Sequence, residues 1–129
     1  MNVYTYTYSN YYDPPAPVVE VTIQHARATT PPMRVEMLID SGSDATMLPI
    51  HVLRAIKAVY VDTMQMRGVS GGSSLVNRYL VSLQIGSHKI PRVRAVASSQ
   101  NGDALLGRDV LNHLIVTLNG LAATTEITE

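Results

Sequence analysis

Apolar residues recur at every second position in short runs along most of the chain, and this alternation constrains the fold more than any other feature. Residues 19–23, 35–39 and 79–85 are three such runs, each interleaved with polar residues. A period of two places successive side chains on opposite faces of a β-strand. Turn-forming residues separate the runs, as at Thr30-Pro31-Pro32 and Gly86-Ser87. The pattern predicts a small, mainly β domain made of short strands.

Two short helices and a terminal hairpin interrupt or end this pattern. Pro49 suits the first turn of a helix, and the apolar spacing that follows predicts a helix over 50–56. A further turn or two of helix is predicted over 108–113. Residues 114–127 predict a hairpin that turns at Asn119-Gly120, because Asn-Gly readily takes the positive φ angles of a type I′ turn.

The first seventeen residues differ from the rest of the chain. They hold five of the seven tyrosines, and Tyr4, Tyr6 and Tyr8 alternate with polar residues as in a strand. The Asp13-Pro14-Pro15-Ala16-Pro17 segment then removes backbone donors and interrupts regular pairing. We therefore predict an arm and linker over 1–17 and one folded domain over 18–129.

Composition excludes several classes of function. A chain of 129 residues suits one domain, and ten basic against ten acidic residues leave no net charge to attract nucleic acid or a membrane surface. There is no apolar run long enough to span a bilayer and no signal-like start, so a cytoplasmic location is expected. The absence of cysteine excludes disulfides and thiol catalysis, and the four scattered histidines lack metal-ligand spacing.

One acidic residue stands in an unusual position. Asp40 directly follows the apolar run at 35–39 and precedes three small residues, Ser41-Gly42-Ser43. Burying a carboxylate costs several kcal/mol unless it is paired or protonated, so a purely structural reason for Asp40 is weak. Gly42 permits close backbone approach, and the Ser41 hydroxyl can brace the loop. These residues alone fit either a functional carboxylate or an ordinary turn aspartate.

Two separated segments together carry a family resemblance. The stretch Leu38-Ile39-Asp40-Ser41-Gly42-Ser43-Asp44-Ala45-Thr46-Met47-Leu48 resembles the active-site motif of the retropepsins, the retroviral-type aspartic proteases. Downstream, Ala104-Leu105-Leu106-Gly107-Arg108-Asp109-Val110-Leu111 resembles the second signature of that family. A glycine-rich tip lies between them, where the family has its flap. The resemblance covers about residues 18–127.

The resemblance implies a fold and a mechanism. The expected fold is mainly β, a retropepsin-like acid-protease half-barrel with one or two short helices that acts as a symmetric homodimer. Each chain supplies one catalytic Asp40, so the implied hydrolase is an aspartic endopeptidase with a dyad of two Asp40 residues. Two carboxylates about 3 Å apart share one proton, and a water molecule is the nucleophile. The substrate is an extended polypeptide, and no metal or cofactor is needed.

Further residues take roles from the same resemblance. Ser41, Gly42 and Ser43 complete the active-site loop, and Asp44 is expected to form a supporting ion pair with Arg108. The second motif contributes Leu105, Leu106 and Gly107, and the expected flap comprises Gly68, Val69, Ser70, Gly71, Gly72 and Ser73. The tip is richer in serine than a retroviral flap, and the tyrosine-rich arm has no clear family counterpart. Whether the arm or the 114–127 segment builds the dimer sheet stays open at this point.

Other interpretations compete with this one. Gly68-Val69-Ser70-Gly71-Gly72 matches the G-x-S-x-G elbow of serine hydrolases, but that motif requires a following helix and the next residues alternate as in a strand. Lys89, Arg92 and Arg94 predict an exposed strand edge or face, not an RNA-binding groove. The main alternative is a non-catalytic retropepsin-fold module for dimerisation or peptide binding.

Overall fold

The computed structural model describes residues 2–68, 70–99 and 102–128. Strands make up 56% of the described residues and helices 8%, so the chain is mainly β as the alternation predicts. In the described residues the elements are β1 (Val3–Thr7), β2 (Val18–His25), β3 (Met33–Ile39), β4 (Met47–Pro49), α1 (Ile50–Ala55), β5 (Val59–Arg67), β6 (Ser73–Ile85), β7 (His88–Ser98), β8 (Leu105–Leu106), α2 (Arg108–Leu111), β9 (Ile115–Asn119) and β10 (Thr124–Thr128).

Seven strands form the main sheet in the order β2-β3-β8-β4-β7-β6-β5. A further antiparallel pairing joins β2 to β6, from Thr22 opposite Gln84 to His25 opposite Val81. Because β2 pairs with both β3 and β6, the sheet folds back on itself around its apolar face. Most neighbours are antiparallel, whereas β3 with β8 and β4 with β7 are parallel pairs.

The core lies inside this folded sheet and is closed by α1. In β2 the predicted alternation is confirmed, since Val19, Val21 and Ile23 are fully buried while Glu20 is exposed. The other large, fully buried apolar side chains come from several different elements: Met37, Leu48, Leu53, Ile56, Val81, Leu83, Ile85, Leu106 and Ile127. At roughly 1.5–3 kcal/mol for each buried side chain of this size, the burial supplies most of the driving force for folding.

The first helix begins where the sequence predicts. Pro49 is its N-cap residue, with φ −57° and ψ 141°, and the helix runs over Ile50–Ala55. Leu53 and Ile56 from the predicted apolar stripe are buried, and Val52 is buried beside them. Neither helix in the described part of the chain has the length or apolar character that a bilayer crossing requires.

The chain termini form a second, three-stranded sheet in the order β1-β10-β9. Thr5 pairs with Glu126 on one side of β10, and Glu126 pairs with Thr117 on the other. Tyr4 and Tyr6 share the inner face of β1 and pack against the core. The Tyr4 ring occupies the space over Gly86, where an added Cβ would lie 2.5 Å from a ring carbon. The arm is therefore tied to its own chain.

The predicted type I′ turn at Asn119-Gly120 is wrong. Asn119 pairs directly with Thr124, which leaves a four-residue loop over 120–123. The positive φ, +54°, belongs to Ala123 and not to Gly120. The reason is local, because the Asn119 side-chain oxygen accepts a hydrogen bond from the Ala122 amide at 3.0 Å. That bond stabilises a longer turn, of the kind in which Asn caps the backbone ahead of it.

Candidate active site

The two motif segments meet in a parallel strand pair at the end of β3. Leu38 lies opposite Leu105 and Ile39 opposite Leu106. Beyond the pair, the Asp40 amide donates a hydrogen bond to the Leu106 carbonyl at 3.0 Å. The parallel pairing therefore places Asp40 at the strand end, directly beside the second motif.

A tight turn orients the Asp40 carboxylate. The Gly42 amide donates to Asp40 Oδ1 at 3.0 Å, and the Ser43 amide donates to the Asp40 carbonyl at 3.2 Å. A Cβ on Gly42 would lie only 3.2 Å from Asp40 Oδ1, so a larger residue would press on the carboxylate. Asp40 is partly buried, whereas Ser41 and Gly42 are exposed. The turn thus presents one carboxylate oxygen to its own backbone and leaves the other open to a ligand.

Arg108, the first residue of α2, holds this turn from the opposite side. Its backbone amide donates to the Ser43 carbonyl at 2.8 Å, and its Nη1 donates to the Ser41 carbonyl at 2.8 Å. Its Nη2 donates to Asp44 Oδ1. The guanidinium therefore bridges both ends of the loop that follows Asp40, and the Asp44 ion pair is one part of that bridge.

A second link between the motifs involves Thr46 and Asp109, to which the sequence interpretation gave no role. The fully buried Thr46 hydroxyl donates to Asp109 Oδ1 at 2.8 Å, and its backbone amide donates to Asp109 Oδ2 at 3.2 Å. The same hydroxyl accepts from the Gly107 amide at 3.2 Å. Both residues lie inside the motif segments. The threonine hydroxyl in the first motif was therefore the sequence feature that could have indicated a link between the two motifs.

Gly107 is where the two segments approach most closely. A Cβ at this position would lie 2.5 Å from the Ala45 carbonyl carbon and 2.9 Å from the Ala45 nitrogen. These atoms are backbone and cannot swing aside. The second motif therefore needs glycine for space, since its φ of −90° is open to any residue.

A cleft with a volume of about 1070 Å³ opens above the Asp40 turn. It is lined by Asp40 and residues of the loop after it, and by residues of β5 and β6. The 90–94 segment of β7 and His113 also line it. A separate hollow of about 640 Å³ lies between the start of α1 and β3, and none of the predicted site residues lines it.

The hairpin formed by β5 and β6 carries the predicted flap residues at its tip. Arg67 pairs with Ser73, and the Gly68 amide donates to the Gly72 carbonyl at 2.7 Å. Gly71 has φ +86°, a conformation that favours glycine. Ser70 lies in the same exposed turn, while Val69 lies outside the described residues. Gly68 and Ser74 border the cleft, so the tip stands at its edge.

A bidentate ion pair joins the two strands nearer the base of this hairpin. Arg78 Nε donates to Asp62 Oδ1 at 2.7 Å and Nη2 donates to Asp62 Oδ2 at 2.6 Å. The hydrogen bonds from Arg78 lower the pKa of the Asp62 carboxyl below its usual value, and the charge of Arg94 contributes in the same direction. Asp62 in turn raises the pKa of Arg78.

Basic side chains line the cleft walls. Arg67, Arg92 and Arg94 are exposed and border the cavity, and within the described residues none of them forms an ion pair. Arg92 has φ +60° beside a register shift in the pairing of β6 with β7. The sequence predicts that Lys89, Arg92 and Arg94 lie on an exposed strand edge or face, and all three are exposed. It did not predict that Arg92 and Arg94 border the cleft.

The histidines and the G-x-S-x-G segment form no second site among the described residues. No group of metal-ligating side chains occurs among the described residues. His25 is buried and its Nδ1 accepts a hydrogen bond from the Arg27 amide at 2.9 Å, which is a structural role. The Gly68–Gly72 segment is followed by the strand β6, so it lacks the helix that a serine nucleophile elbow requires.

Solved structures of proteases share this architecture. The EIAV protease complexed with the inhibitor HBY-793 has a TM-score of 0.56 and 22% identity, covering 84% of this chain and 93% of that chain. The Simian Foamy Virus (mac) protease has a TM-score of 0.53 and 19% identity, covering 74% and 91%. A retropepsin-like aspartic protease from Rickettsia conorii has a TM-score of 0.66 and 10% identity, covering 98% and 90%. The fold is that of the retropepsin-like aspartic proteases.

The family follows from the sequence match. The family model described as "gag-polyprotein putative aspartyl protease" matches residues 27–113, which include both the Asp40 turn and the Arg108 helix. The chain belongs to this family. None of the curated protein sequences compared with the chain matches it significantly.

Proposed function

We propose that the protein is an aspartic endopeptidase whose active site forms when two copies bring their Asp40 side chains together. The observation that supports the proposal is the set of contacts that the Asp40 carboxylate makes. Its carboxylate lines the cleft, accepts the Gly42 amide on one oxygen, and forms no ion pair within the described residues. A carboxylate held in this way is free to exchange protons with a bound water or substrate.

The second carboxylate of the dyad must come from another copy. The other two aspartates that border the cleft, Asp44 and Asp109, are already engaged by Arg108 and Thr46. A twofold arrangement instead places two equivalent Asp40 carboxyls side by side. Like charges about 3 Å apart cannot both ionise easily, so the pair shares one proton. The shared proton gives one acid and one base in a symmetric site.

These two forms divide the hydrolysis between them. The ionised Asp40 takes a proton from water as the water oxygen bonds to the scissile carbonyl carbon. The protonated Asp40 of the partner subunit gives its proton to the carbonyl oxygen, which forms a neutral tetrahedral diol. The diol then expels the amine as the C–N bond breaks, with one proton passing to nitrogen and one returning to the dyad. No covalent enzyme intermediate is formed.

The shape of the cleft suits an extended polypeptide. Residues of β5 and of the 90–94 segment of β7 both line the cavity, and strands at a cleft can offer backbone groups to a substrate strand. The hairpin tip at its edge can close over the substrate and exclude water. The proposed substrate is therefore a peptide segment without regular structure, bound across the twofold axis.

One observation favours a second candidate, a peptide-binding or dimerisation module without turnover. The described tip residues are all small, and Ser70, Gly71, Gly72 and Ser73 are all exposed. A tip without bulky apolar side chains makes fewer contacts across the cleft, which weakens closure over the scissile bond.

Peptide cleavage separates these two functions. The wild-type chain, Asp40→Asn and the control Asp103→Asn are incubated with a peptide library between about pH 4 and about pH 7, because a carboxyl dyad works with one shared proton. Cleavage by the wild type and Asp103→Asn, with none by Asp40→Asn, supports the protease. A wild type that binds peptides and forms dimers but cuts nothing supports the binding module. Cleavage by Asp40→Asn would reject the proposed dyad.

A further inference from the structure

Methionine side chains gather at the cleft. The chain has six methionines and no cysteine. Within the described residues, Met47, Met64 and Met66 line the same cavity as Asp40. They come from two separate elements, β4 and β5. The proposed hydrolysis uses carboxylates and water alone, so these three thioethers take no part in its chemistry.

Two of these methionines lie on the hairpin that carries the expected flap. Met64 and Met66 are two positions apart on β5 and therefore share a face of the strand. Met64 lies opposite Val76 and Met66 opposite Ser74 on β6, and all four residues line the cleft. Met64 and Val76 thus give the cleft side of the hairpin an apolar patch. A substrate beneath the hairpin would pack against the flexible thioethers.

The sulfur of Met64 is accessible to small solutes. Met64 is 39% exposed, whereas Met47 and Met66 are half-buried and Met37 in the core is fully buried. Strand β5 is also the outer strand of the main sheet, and no strand in the described part of the chain pairs with its other side. A small oxidant therefore reaches Met64 without any unfolding of the domain.

We propose that Met64, with Met66 beside it, is a modification site at which peroxide reversibly weakens substrate binding. The thioether sulfur donates a lone pair to one oxygen of hydrogen peroxide. An S–O bond forms, the O–O bond breaks, and the other oxygen leaves as water with both peroxide protons. Sulfur is oxidised and the peroxide is reduced. A methionine sulfoxide reductase with a dithiol reverses the step and yields the thioether, a disulfide and water.

The sulfoxide changes binding and leaves the carboxylates intact. It places a strongly polar oxygen on the surface that covers the substrate, and burial of that oxygen without a hydrogen-bond partner is unfavourable. The Asp40 turn is held by bonds from Gly42 and Arg108, which the modification does not touch. We therefore expect KM to rise about tenfold, with kcat and the pH profile nearly unchanged. This expectation of activity rests on the proposed function.

Peroxide treatment of the wild type followed by peptide mapping tests the site. Mass spectrometry gives the order in which the methionines gain an oxygen atom. We expect Met64 to react at least about tenfold faster than the buried Met37, and kcat/KM to fall in proportion to the oxidised fraction of Met64. A sulfoxide reductase should restore both. Complete oxidation of Met64 with an unchanged KM would overturn the proposal.

Leucine substitutions remove the sulfur at nearly constant volume. Met64→Leu combined with Met66→Leu is compared with Met33→Leu, because Met33 is half-buried and borders the separate hollow instead of the cleft. The ratio of kcat/KM after and before peroxide is taken for each protein, so a change in basal activity cancels. Met33→Leu should lose about tenfold, as the wild type does, and the double variant less than about twofold. An equal loss in all three proteins would place the sensitive group elsewhere and overturn the proposal.

A polar substitution reproduces the effect without peroxide. Met64→Gln puts an uncharged polar group at the position of the sulfoxide, and its KM should exceed that of Met64→Leu. Circular dichroism verifies that both variants fold. Equal KM values for the two variants would contradict the proposal, because polarity at position 64 would then have no influence on binding.

Peptide binding, measured in parallel by calorimetry, separates this inference from the proposed protease. If the chain binds peptides but cuts nothing, the protease is rejected, and the inference stands if oxidation raises Kd about tenfold and fails if Kd is unchanged. Equal cleavage before and after oxidation of Met64 keeps the protease and overturns the inference. A chain that neither binds nor cleaves peptides overturns both.

Discussion

Thr46 and Asp109 are joined by two hydrogen bonds, from the Thr46 hydroxyl at 2.8 Å and the Thr46 amide at 3.2 Å, across 63 positions of the chain. The hydroxyl also accepts the Gly107 amide, so one buried oxygen satisfies groups in both motifs. This link and the Arg108 bridge tie the Asp40 turn to α2. A site whose chemistry depends on the position of one carboxylate requires such support.

We expect Thr46→Val to destabilise the fold by about 1–3 kcal/mol, because the isosteric change preserves volume but leaves the Gly107 amide without its acceptor. Thr46→Ser retains the hydroxyl and should recover most of the lost stability. Urea unfolding of the three proteins measures the difference. Equal unfolding midpoints for Thr46→Val and the wild type would show that the hydroxyl contributes nothing to the link.

Gly107→Ala tests the close approach of the two motifs. The added methyl would lie 2.5 Å from the Ala45 carbonyl carbon, so the backbone of one segment must move. Overpacking of this kind costs about 1–3 kcal/mol, and the movement should also lower peptide hydrolysis because Ala45 follows the Asp40 turn. Gly120→Ala is the control, because nothing lies within 4 Å of its added methyl. Its expected effect on stability is below about 0.5 kcal/mol.

Replacing Arg108 should have a larger effect on stability and turnover than replacing Asp44. The Asp44 side chain is 87% exposed, so Asp44→Ala should cost only about 0.2–1 kcal/mol, as for other surface ion pairs. Arg108→Met also removes the bond to the Ser41 carbonyl and should lower both stability and turnover more strongly. A double-mutant cycle, followed by unfolding and by kcat, measures the coupling. A coupling energy of zero would reduce the pair to two independent surface charges.

The strands could be predicted from the sequence because burial in a sheet follows the period of two. Val19, Val21 and Ile23 are buried and Glu20 is exposed. The alternation in the sequence therefore reflects directly which side chains are buried. The helix after Pro49 was predictable for a similar reason, since proline fixes the local backbone. Local rules failed at Asn119-Gly120, where a side-chain hydrogen bond favoured a longer turn than the dipeptide suggests.

From the residues alone, the candidate site could be predicted only where a residue acts through its own segment, and the Asp44–Arg108 pair was predicted from the family resemblance. Asp40 stood out because a carboxylate follows an apolar strand. The contact between Thr46 and Asp109 depends on the parallel pairing of β3 with β8, and no periodicity within either segment encodes a partner more than sixty residues away. The same holds for Arg92 and Arg94, whose alternation marks them as exposed without showing which surface they face.

Acid should weaken the base of the hairpin through Asp62. The pKa of this carboxyl is lowered in the folded chain from its usual value of 3.8, chiefly by the hydrogen bonds from Arg78. A lowered pKa means that the pair stabilises the fold above pH 3.8, and that this stabilisation is lost as the pH falls through the folded-state value. The unfolding midpoint of Asp62→Asn should therefore lie below that of the wild type at neutral pH and approach it in strong acid.

Glu20→Gln is the matched control for this pH dependence. Glu20 meets Arg34 at 4.0 Å, and both side chains are largely exposed, at 62% and 79%. Such a loose pair contributes little, so Glu20→Gln should follow the wild type at every pH. A constant difference between the wild type and Asp62→Asn across the whole range would show that the effect is not the titration of Asp62.

The arginines of the cleft predict a preference for acidic peptides. Arg92 and Arg94 border the cavity without an ion-pair partner in the described residues, whereas Arg78 is paired with Asp62. A carboxylate on the substrate would form ion pairs with these arginines inside the cleft, where solvent screens the charges less. Peptides that carry Glu on either side of the scissile bond should therefore have a higher kcat/KM than otherwise identical peptides that carry Gln.

Replacing both arginines, as Arg92→Gln with Arg94→Gln, should reduce the preference for Glu over Gln by about tenfold, and added salt should reduce it in the wild type. Arg54→Gln is the control, because Arg54 is an exposed arginine on α1 that does not border the cleft. The comparison uses the ratio of kcat/KM values for one peptide pair, which cancels any general loss of activity in a variant. A wild-type ratio close to one would show that the cleft arginines do not contact the substrate, since their charge discriminates Glu from Gln only at close range.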